Sequence, residues 1–439
     1  MKKAMLIYVS STGNGKGGNT GNNNKFYYIE LKESGDVYFR YGRVGTSGSD
    51  GTKQGVGLAG FHKLMKSKTS KGYVEVPLDL DADVSSIDTN TSGSDIMMIA
   101  LSQIKSDDDS KALIKKLVAR NIHNITSNTK ITFNASTGLF KTPLGVVTKE
   151  GIDKAESILD ELSKILARPT LDSSYITYEV DIRNYSEQYY CIIPTTVDNL
   201  RSIYSHIYNK DALSKQYDIC SALRQSIDIL DKDKLKAIQA AQADTSIPVL
   251  FNTSLVKLTD SKEFDRIERY FEKSKNSQHG RTTSKAKIKN IYCINIKSDD
   301  DAYRHDLTNQ MELWHGTKVV NILSILKSGL LMPKYSPGSV TGYMFGQGLY
   351  FSNQSSKSLN YCDGMYWNNS NRSDNFIYMF VANIAMGNYQ VPKGSTSKLP
   401  DNGYDSYWAQ PGKSGIMNDE MIVFKNEQIQ LKYLLEIEV

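Results

Sequence analysis

Hydrophobic and polar positions divide the chain into stretches of different period. Ala4 to Val9 is an apolar strand-length run, and the Gly/Asn/Ser tract that follows it, Ser10 to Asn24, has nothing to bury and is expected as a flexible hairpin loop. Phe26 to Leu31 and Val37 to Val44 flank Glu33-Ser34-Gly35-Asp36, and Val37, Phe39 and Tyr41 alternate with Tyr38 and Arg40. That alternation predicts a β-hairpin. Leu58, Phe61, Leu64 and Met65 then supply one face of a helix.

From Asp79 to Asp95 the chain is rich in Asp, Ser, Thr and Gly, the composition of a linker. The period beyond it is helical. Ile152, Ala155, Ile158, Leu159, Leu162 and Ile165 share one face of a helix that Thr148 caps and Pro169 ends, and Leu200, Ile203, Tyr204 and Ile207 repeat the pattern after Asp198. From near Ser246 the apolar runs shorten. Ile291 to Lys297, Phe376 to Ile384, Glu420 to Phe424 and Gln428 to Val439 read as strands with few long helices among them. The fold class expected is α+β and multidomain: a small sheet-plus-helix domain, an all-α subdomain, and a split, mostly antiparallel β-sheet domain.

One stretch, Leu313 to Cys362, concentrates the residues suited to chemistry. A short apolar strand ends in His315-Gly316-Thr317; Val320, Leu323 and Leu326 then recur at helical spacing and stop at Gly329, where positive φ ends a helix cheaply. His315 therefore sits at a strand-to-helix junction. A glycine-rich bend from Thr341 to Gly348 lets backbone approach a ligand closely before Leu349-Tyr350-Phe351, and Tyr361 follows a polar helix start. Two tyrosines on a pocket wall are expected.

Composition narrows the remainder. At 439 residues the chain has room for about three domains of roughly 100 to 200 residues. The formal charge of +5 is mild over this length, so any nucleic-acid face must be local. Cys191, Cys220, Cys293 and Cys362 are scattered without a C-x-x-C, and none of the six histidines lies at zinc-ligand spacing from them. No disulfide, structural zinc or other metal is expected. Nor does any early block read as a secretory signal, or any segment approach the roughly 18 apolar residues of a membrane span. A soluble intracellular monomer is expected, nuclear in a eukaryote and otherwise in the cytoplasm or nucleoid.

The ordered run WHGT, GYMFGQGLYF and SKSLNYC, with MNDEMIVF and QLKYLLEIEV closing the chain, resembles the catalytic signature of the poly(ADP-ribose) polymerases, the His-Tyr-Glu branch of the ADP-ribosyltransferases. The resemblance implies NAD as substrate. His315, Tyr350 and Glu420 become the catalytic set, and His315, Gly316, Thr317, Tyr343, Tyr350, Ser358 and Tyr361 the NAD-binding set. Lys357 matches a family lysine beside the pocket, on the acceptor side. Where the family often carries an arginine toward the adenine, at the last position of this GLL run, the residue here is Leu331.

Two further stretches extend the resemblance. Tyr41-Gly42-Arg43-Val44-Gly45, with KSKTSKGYVEV downstream, looks like a WGR domain, which in DNA-dependent members binds DNA ends. Alone, Tyr41 and Arg43 are a strand aromatic and a turn cation. Their place ahead of a transferase signature makes them candidates for DNA or interdomain contact, with Lys63, Lys66, Lys68 and Lys71 as candidate phosphate ligands. Tyrosine replaces the usual tryptophan, so it offers a smaller face and no indole donor. TPLGVVTKEGIDKAESILDEL and YSEQYYCIIPT resemble the helical regulatory subdomain that shields the cofactor pocket until DNA binds.

The expected domains are 1–80 WGR-like, 81–94 linker, 95–245 helical regulatory and 246–439 catalytic. The expected function is a DNA-break-stimulated poly(ADP-ribose) polymerase of the DNA damage response, without zinc fingers, whose partners are DNA strand breaks and protein acceptors including itself. A mono-ADP-ribosyltransferase and an inert DNA-end-binding scaffold are the alternatives.

Overall fold

The alternating hairpin pairs as its sequence pattern requires. In the computed structural model, Asn23–Leu31 and Val37–Arg43 are antiparallel, with Ile29 opposite Phe39 and Tyr27 opposite Tyr41. The structure describes residues 2–10, 23–44, 47–79, 103–129, 131–133, 140–142, 145–168, 175–195, 202–229, 251–332, 344–367 and 375–439. The loop expected within Ser10 to Asn24, the linker, Pro169, Leu200, Gly45, Tyr343 and the boundary near Ser246 thus fall wholly or mostly outside the described residues.

The chain divides into two compact units, one drawn from residues 1–95 and 122–230, the other from 96–121, 231–335 and 340–439. In the first, Lys2–Ser10 joins the hairpin on one side and Ser49–Lys53 on the other, and Val74–Val76 completes a five-stranded sheet. Successive side chains leave a strand on opposite faces, so this sheet has two apolar sides. Ala4, Leu6, Tyr27, Ile29 and Val37 pack with Phe61 and Leu64 of the helix Gly57–Thr69. Leu58, expected on that face, lies in the helix's first turn and is 50% exposed.

The other face carries Met5, Ile7, Val9 and Phe26, which share one core with Ile152, Ala155, Leu159 and Leu162 of the helix Lys149–Leu166 and with Tyr189 and Ile192 of the helix Tyr175–Ile192. Sheet and helices are therefore a single packed body. Thr148 caps the Lys149–Leu166 helix as its sequence predicts, accepting from the Gly151 amide at 3.1 Å, and its hydroxyl donates to the Pro77 carbonyl at 2.7 Å. Such a cap contributes about 1 kcal/mol. The helix expected around Ile203 is only a 3₁₀ turn, Ile203–Ser205, with Tyr204 75% exposed. The His206 ring donates from Nδ1 to the Ser202 carbonyl at 2.9 Å, a local bond that competes with helix continuation. A third helix, Lys210–Ile229, and a small sheet that includes Phe140–Thr142 and Gly145–Val147 complete the described helical region.

In the second unit two sheets form the split architecture. One runs Gln310–Gly316, Phe376–Ala385, Ile429–Glu438, Lys287–Ile296, Thr253–Lys257 and Lys105–Ser106 in spatial order; the other runs Leu349–Phe351, Glu420–Val423, Ser406–Ala409 and Tyr389–Gln390. Pairing is antiparallel except where Lys105–Ser106 meets Thr253–Lys257 and Tyr389–Gln390 meets Ser406–Ala409. Trp314, Met379, Val381, Leu435 and Ile437 form the centre of its core. The helix from Asp108 places Lys116 Nζ 3.1 Å from Glu436, a buried carboxylate that also accepts from the Tyr378 hydroxyl and the Asn290 amide. Among the described residues no helix is long and apolar enough to cross a membrane, and no group of three or more His, Cys, Asp or Glu side chains is placed to hold a metal ion.

Candidate active site

The site begins at the open edge of the Gln310–Gly316 strand. The Trp314 amide and carbonyl pair with Ser352 at 2.9 and 3.1 Å, on the side away from Phe376–Ala385. Amide directions alternate along an antiparallel strand, so the Gly316 N–H and C=O leave toward the same edge as those of Trp314. A donor and an acceptor side by side are the complement of a carboxamide. Glycine is required because a Cβ at 316 would lie 1.7 Å from the Ser358 carbonyl oxygen. Ser358 Oγ donates to the Trp314 carbonyl at 3.1 Å, which fixes it beside Gly316 with its lone pairs still able to accept.

Thr317 is buried and accepts from the Asn321 amide at 3.1 Å, while Asp363 accepts from the Val319 amide at 2.6 Å. Together they anchor the start of Val319–Ser328, which ends at Gly329 with φ +69° as its sequence predicts. Leu331 is 56% exposed.

His315 stands one residue before Gly316. Its Nδ1 lies 3.0 Å from the Tyr350 carbonyl, which can only accept, so Nδ1 carries the proton. The neutral ring then presents the Nε2 lone pair. Burial holds the imidazole below the usual histidine range, against the opposing pull of the Tyr350 carbonyl. Tyr350 is fixed in turn: its hydroxyl donates to the Gly346 carbonyl at 2.8 Å and accepts from the Phe345 amide at 2.9 Å. Gly348 lies in the same bend, where a Cβ would meet Ile422 at 2.4 Å.

Leu349–Phe351 pairs with Glu420–Val423, Phe351 opposite Met421, so one sheet carries both Tyr350 and Glu420. The Glu420 Oε1 is held by Lys357 Nζ in an ion pair whose side chains are 14% and 12% exposed. Burial pulls the Lys357 ammonium down, and Glu420 offsets only part of that. Among the described residues no hydrogen bond engages Glu420 Oε2. Tyr361 is close enough to Glu420 to feel its charge; burial first, and that carboxylate second, push its phenol up to about 12. The second unit thus brings His315, Gly316, Tyr350, Lys357, Ser358, Tyr361 and Glu420 close to one another; Tyr343 lies outside the described residues.

Tyr41 and Arg43 belong to the first unit. Tyr41 is 45% exposed at the end of its strand, stacked on Tyr27 at 5.7 Å and Phe39 at 6.3 Å. Lys68 stands 3.9 Å from the Tyr27 ring, its ammonium pulled down by burial and by Lys71 and Lys53. Arg43 is exposed.

Sequence reasoning missed a polar cluster that joins the chain segments carrying Lys357 and Glu420. Asn276, His279, Gln354, Ser356 and Asn418 are joined by hydrogen bonds of 2.8 to 3.3 Å. They come from three separate parts of the chain, and the run KNSQH carries no period that would have marked it.

Three family models match the chain: the poly(ADP-ribose) polymerase catalytic domain over residues 261–414, the poly(ADP-ribose) polymerase regulatory domain over 111–244, and the WGR domain over 15–78. Glu420 lies just beyond the first of these. A poly [ADP-ribose] polymerase 1 of Danio rerio is 27% identical over 94% of this chain and 43% of its own length. A poly [ADP-ribose] polymerase 2 of Arabidopsis thaliana is 23% identical over 95% of this chain and 71% of its own. A protein mono-ADP-ribosyltransferase PARP3 of Mus musculus is 24% identical over 95% of this chain and 86% of its own. The chain spans less than half the length of the Danio rerio protein.

Proposed function

We propose, for a chain that belongs to the poly(ADP-ribose) polymerase family, an NAD-dependent ADP-ribosyltransferase that DNA breaks stimulate and that elongates its product into polymer on protein acceptors, itself included. The observation that carries this reading is the convergence of His315, Gly316, Tyr350, Ser358, Tyr361 and the Lys357–Glu420 pair on one strand edge.

Each group suits a step of that reaction. NAD carries a cationic nicotinamide on an anomeric carbon, so cleavage needs little acid catalysis and much stabilisation of a ribose that gains positive charge. The Gly316 amide and carbonyl, with Ser358 Oγ, hold the carboxamide. Tyr361 stacks on the pyridinium and Tyr350 closes the opposite side, contacts worth about 0.5 to 2 kcal/mol. His315 accepts a hydrogen bond from the adenosine ribose through Nε2, a positioning role served by its neutral state. Glu420 takes the nicotinamide ribose 2′-hydroxyl on Oε2, a bond that strengthens as the ring becomes cationic. During elongation the same carboxylate orients an incoming ribose hydroxyl.

The DNA part rests on the exposed Tyr41 and Arg43 and on the core that the five-stranded sheet shares with the regulatory helices. A contact made on that sheet bears directly on those helices. We place the protein in the DNA damage response, in the nucleus of a eukaryotic cell or the nucleoid of a bacterial one. A second reading, single transfer, is favoured by the mouse mono-ADP-ribosyltransferase among the relatives.

Labelled NAD, supplied with and without 5′-phosphorylated nicked DNA and resolved on a gel, separates the readings. A DNA-dependent high-mass smear is expected. A discrete DNA-dependent band moves the protein to single transfer, and no incorporation alongside intact DNA binding leaves only a scaffold.

A further inference from the structure

His279 lies in the turn Ser277–His279, far in sequence from both halves of the Lys357–Glu420 pair, yet its ring touches a neighbour of each. Nδ1 is 2.9 Å from Ser356 Oγ, the residue before Lys357, and Nε2 is 3.3 Å from the amide nitrogen of Asn418, two residues before Glu420. The bonds to Ser356 and Asn418 fix the protonation state. Asn276 Nδ2 donates to the Asn418 carboxamide oxygen at 3.0 Å, which turns the Asn418 nitrogen toward the ring. An amide nitrogen only donates, so Nε2 must accept and the ring proton sits on Nδ1, donated to Ser356 Oγ. Ser356 Oγ also accepts from the Asn276 amide at 2.8 Å.

We propose that His279 is a positioning residue for Glu420: a neutral imidazole that ties the segment carrying Lys357 to the segment carrying Glu420 and so sets where the Glu420 carboxylate stands. The proposal rests on the transferase reading of the site. Protonating the ring would set an Nε2–H donor against the Asn418 donor. Turning Asn418 to accept it would break the Asn276 bond instead. Among the described residues, the charged groups near the ring agree with this. From the Ser355–Leu359 helix the charged neighbour is Lys357; from the 418–420 segment the neighbour is neutral Asn418, with the Asp419 carboxylate engaged by the Trp408 indole at 2.7 Å and Glu420 engaged by Lys357. Burial, and then Lys357, hold the imidazole below the usual histidine range. The tie is therefore whole at neutral pH and is lost as pH falls through a value under the ordinary 6.5 or so.

The test measures nicotinamide release by the full chain, with nicked DNA present, as kcat and KM for NAD between about pH 5 and 8. The wild type should lose kcat on the acid side. His279→Gln keeps an acceptor but cannot titrate, so it should hold kcat within about threefold at neutral pH and lose the acid limb. His279→Ala and Asn418→Ala should each lower kcat by about tenfold with KM within twofold, and together no further, because both break one tie. An acid limb that survives in His279→Gln, or an alanine effect that falls on KM, overturns the proposal and leaves the transferase reading intact. Glu420→Gln distinguishes the two failures: a wild type no faster than that variant removes the transferase reading and this proposal with it.

Discussion

Two strand ends in this protein carry an aromatic residue and a glycine close together, and the structure treats them in opposite ways. At Tyr41-Gly42-Arg43 the aromatic is 45% exposed and supported by two stacked rings, and the cation beyond it is exposed. At Trp314-His315-Gly316 the indole is fully buried, stacked on Tyr270 at 4.5 Å with Phe271 edge-on at 5.9 Å, and the glycine has no room for a Cβ. The first arrangement suits a large, rigid partner that brings its own shape. The second suits a small molecule that must be held to within fractions of an ångström. Substitutions at the first should weaken a contact, and substitutions at the second should remove a geometry.

The largest expected effect is at Glu420. Replacing it with Gln keeps the shape but removes the charge that stabilises a cationic ribose, so chain elongation should fall by about 10²- to 10³-fold. NAD affinity, measured by calorimetry, should change by no more than a few-fold. Unchanged polymer output would remove Glu420 from the chemistry. Gly316→Ala comes next. A methyl 1.7 Å from the Ser358 carbonyl must push the two segments apart, and a displacement of about 1 Å costs on the order of 10²-fold in turnover. Turnover near wild type would mean that the strand edge does not hold the carboxamide.

At the surface motif the effect should be smaller and differently distributed. Arg43→Ala removes a forked donor for phosphate, so stimulation by nicked DNA should fall roughly tenfold while turnover without DNA stays within about twofold. An equal fall in both would make Arg43 a structural cation and erase the contrast with the buried site.

How much of this was legible depends on the range over which each feature is encoded. The hairpin, the Thr148 cap, the Gly329 helix end and the four catalytic-domain strands follow from local period and turn chemistry, and the structure has each of them, the strands with bounds shifted by up to four residues. The turn at Ile203 departs from the helix that its apolar spacing suits because Ser202 and His206 close a local bond instead. The ordered motifs marked the residues that the structure gathers near the Gly316 strand edge. What holds them there was not legible: the Ser358 carbonyl that forces glycine at 316 comes from a residue 42 positions on, and His279 meets Asn418 across 139 positions. No window-based period carries such contacts. The short parallel strand Lys105–Ser106, seated in the catalytic sheet beside Thr253–Lys257, was invisible for the same reason.

The smallest expected effect sharpens the comparison rather than breaking it. Tyr41→Trp enlarges an already exposed ring and adds an indole donor, and the rings beneath it, Tyr27 and Phe39, lie within 22° of parallel to it and give the larger face a platform. Base or sugar stacking of this kind is worth about 1 to 3 kcal/mol for a whole aromatic, so the difference between two aromatics should be a fraction of that, roughly a two- to fivefold tightening of nicked-DNA binding. The KM for NAD should not move. If binding is unchanged, the exposed face of Tyr41 is not where DNA lies and Arg43 reads phosphate without an aromatic beside it. If binding weakens, the tyrosine hydroxyl is itself a contact, and the surface motif shares with the buried site a demand for one particular atom.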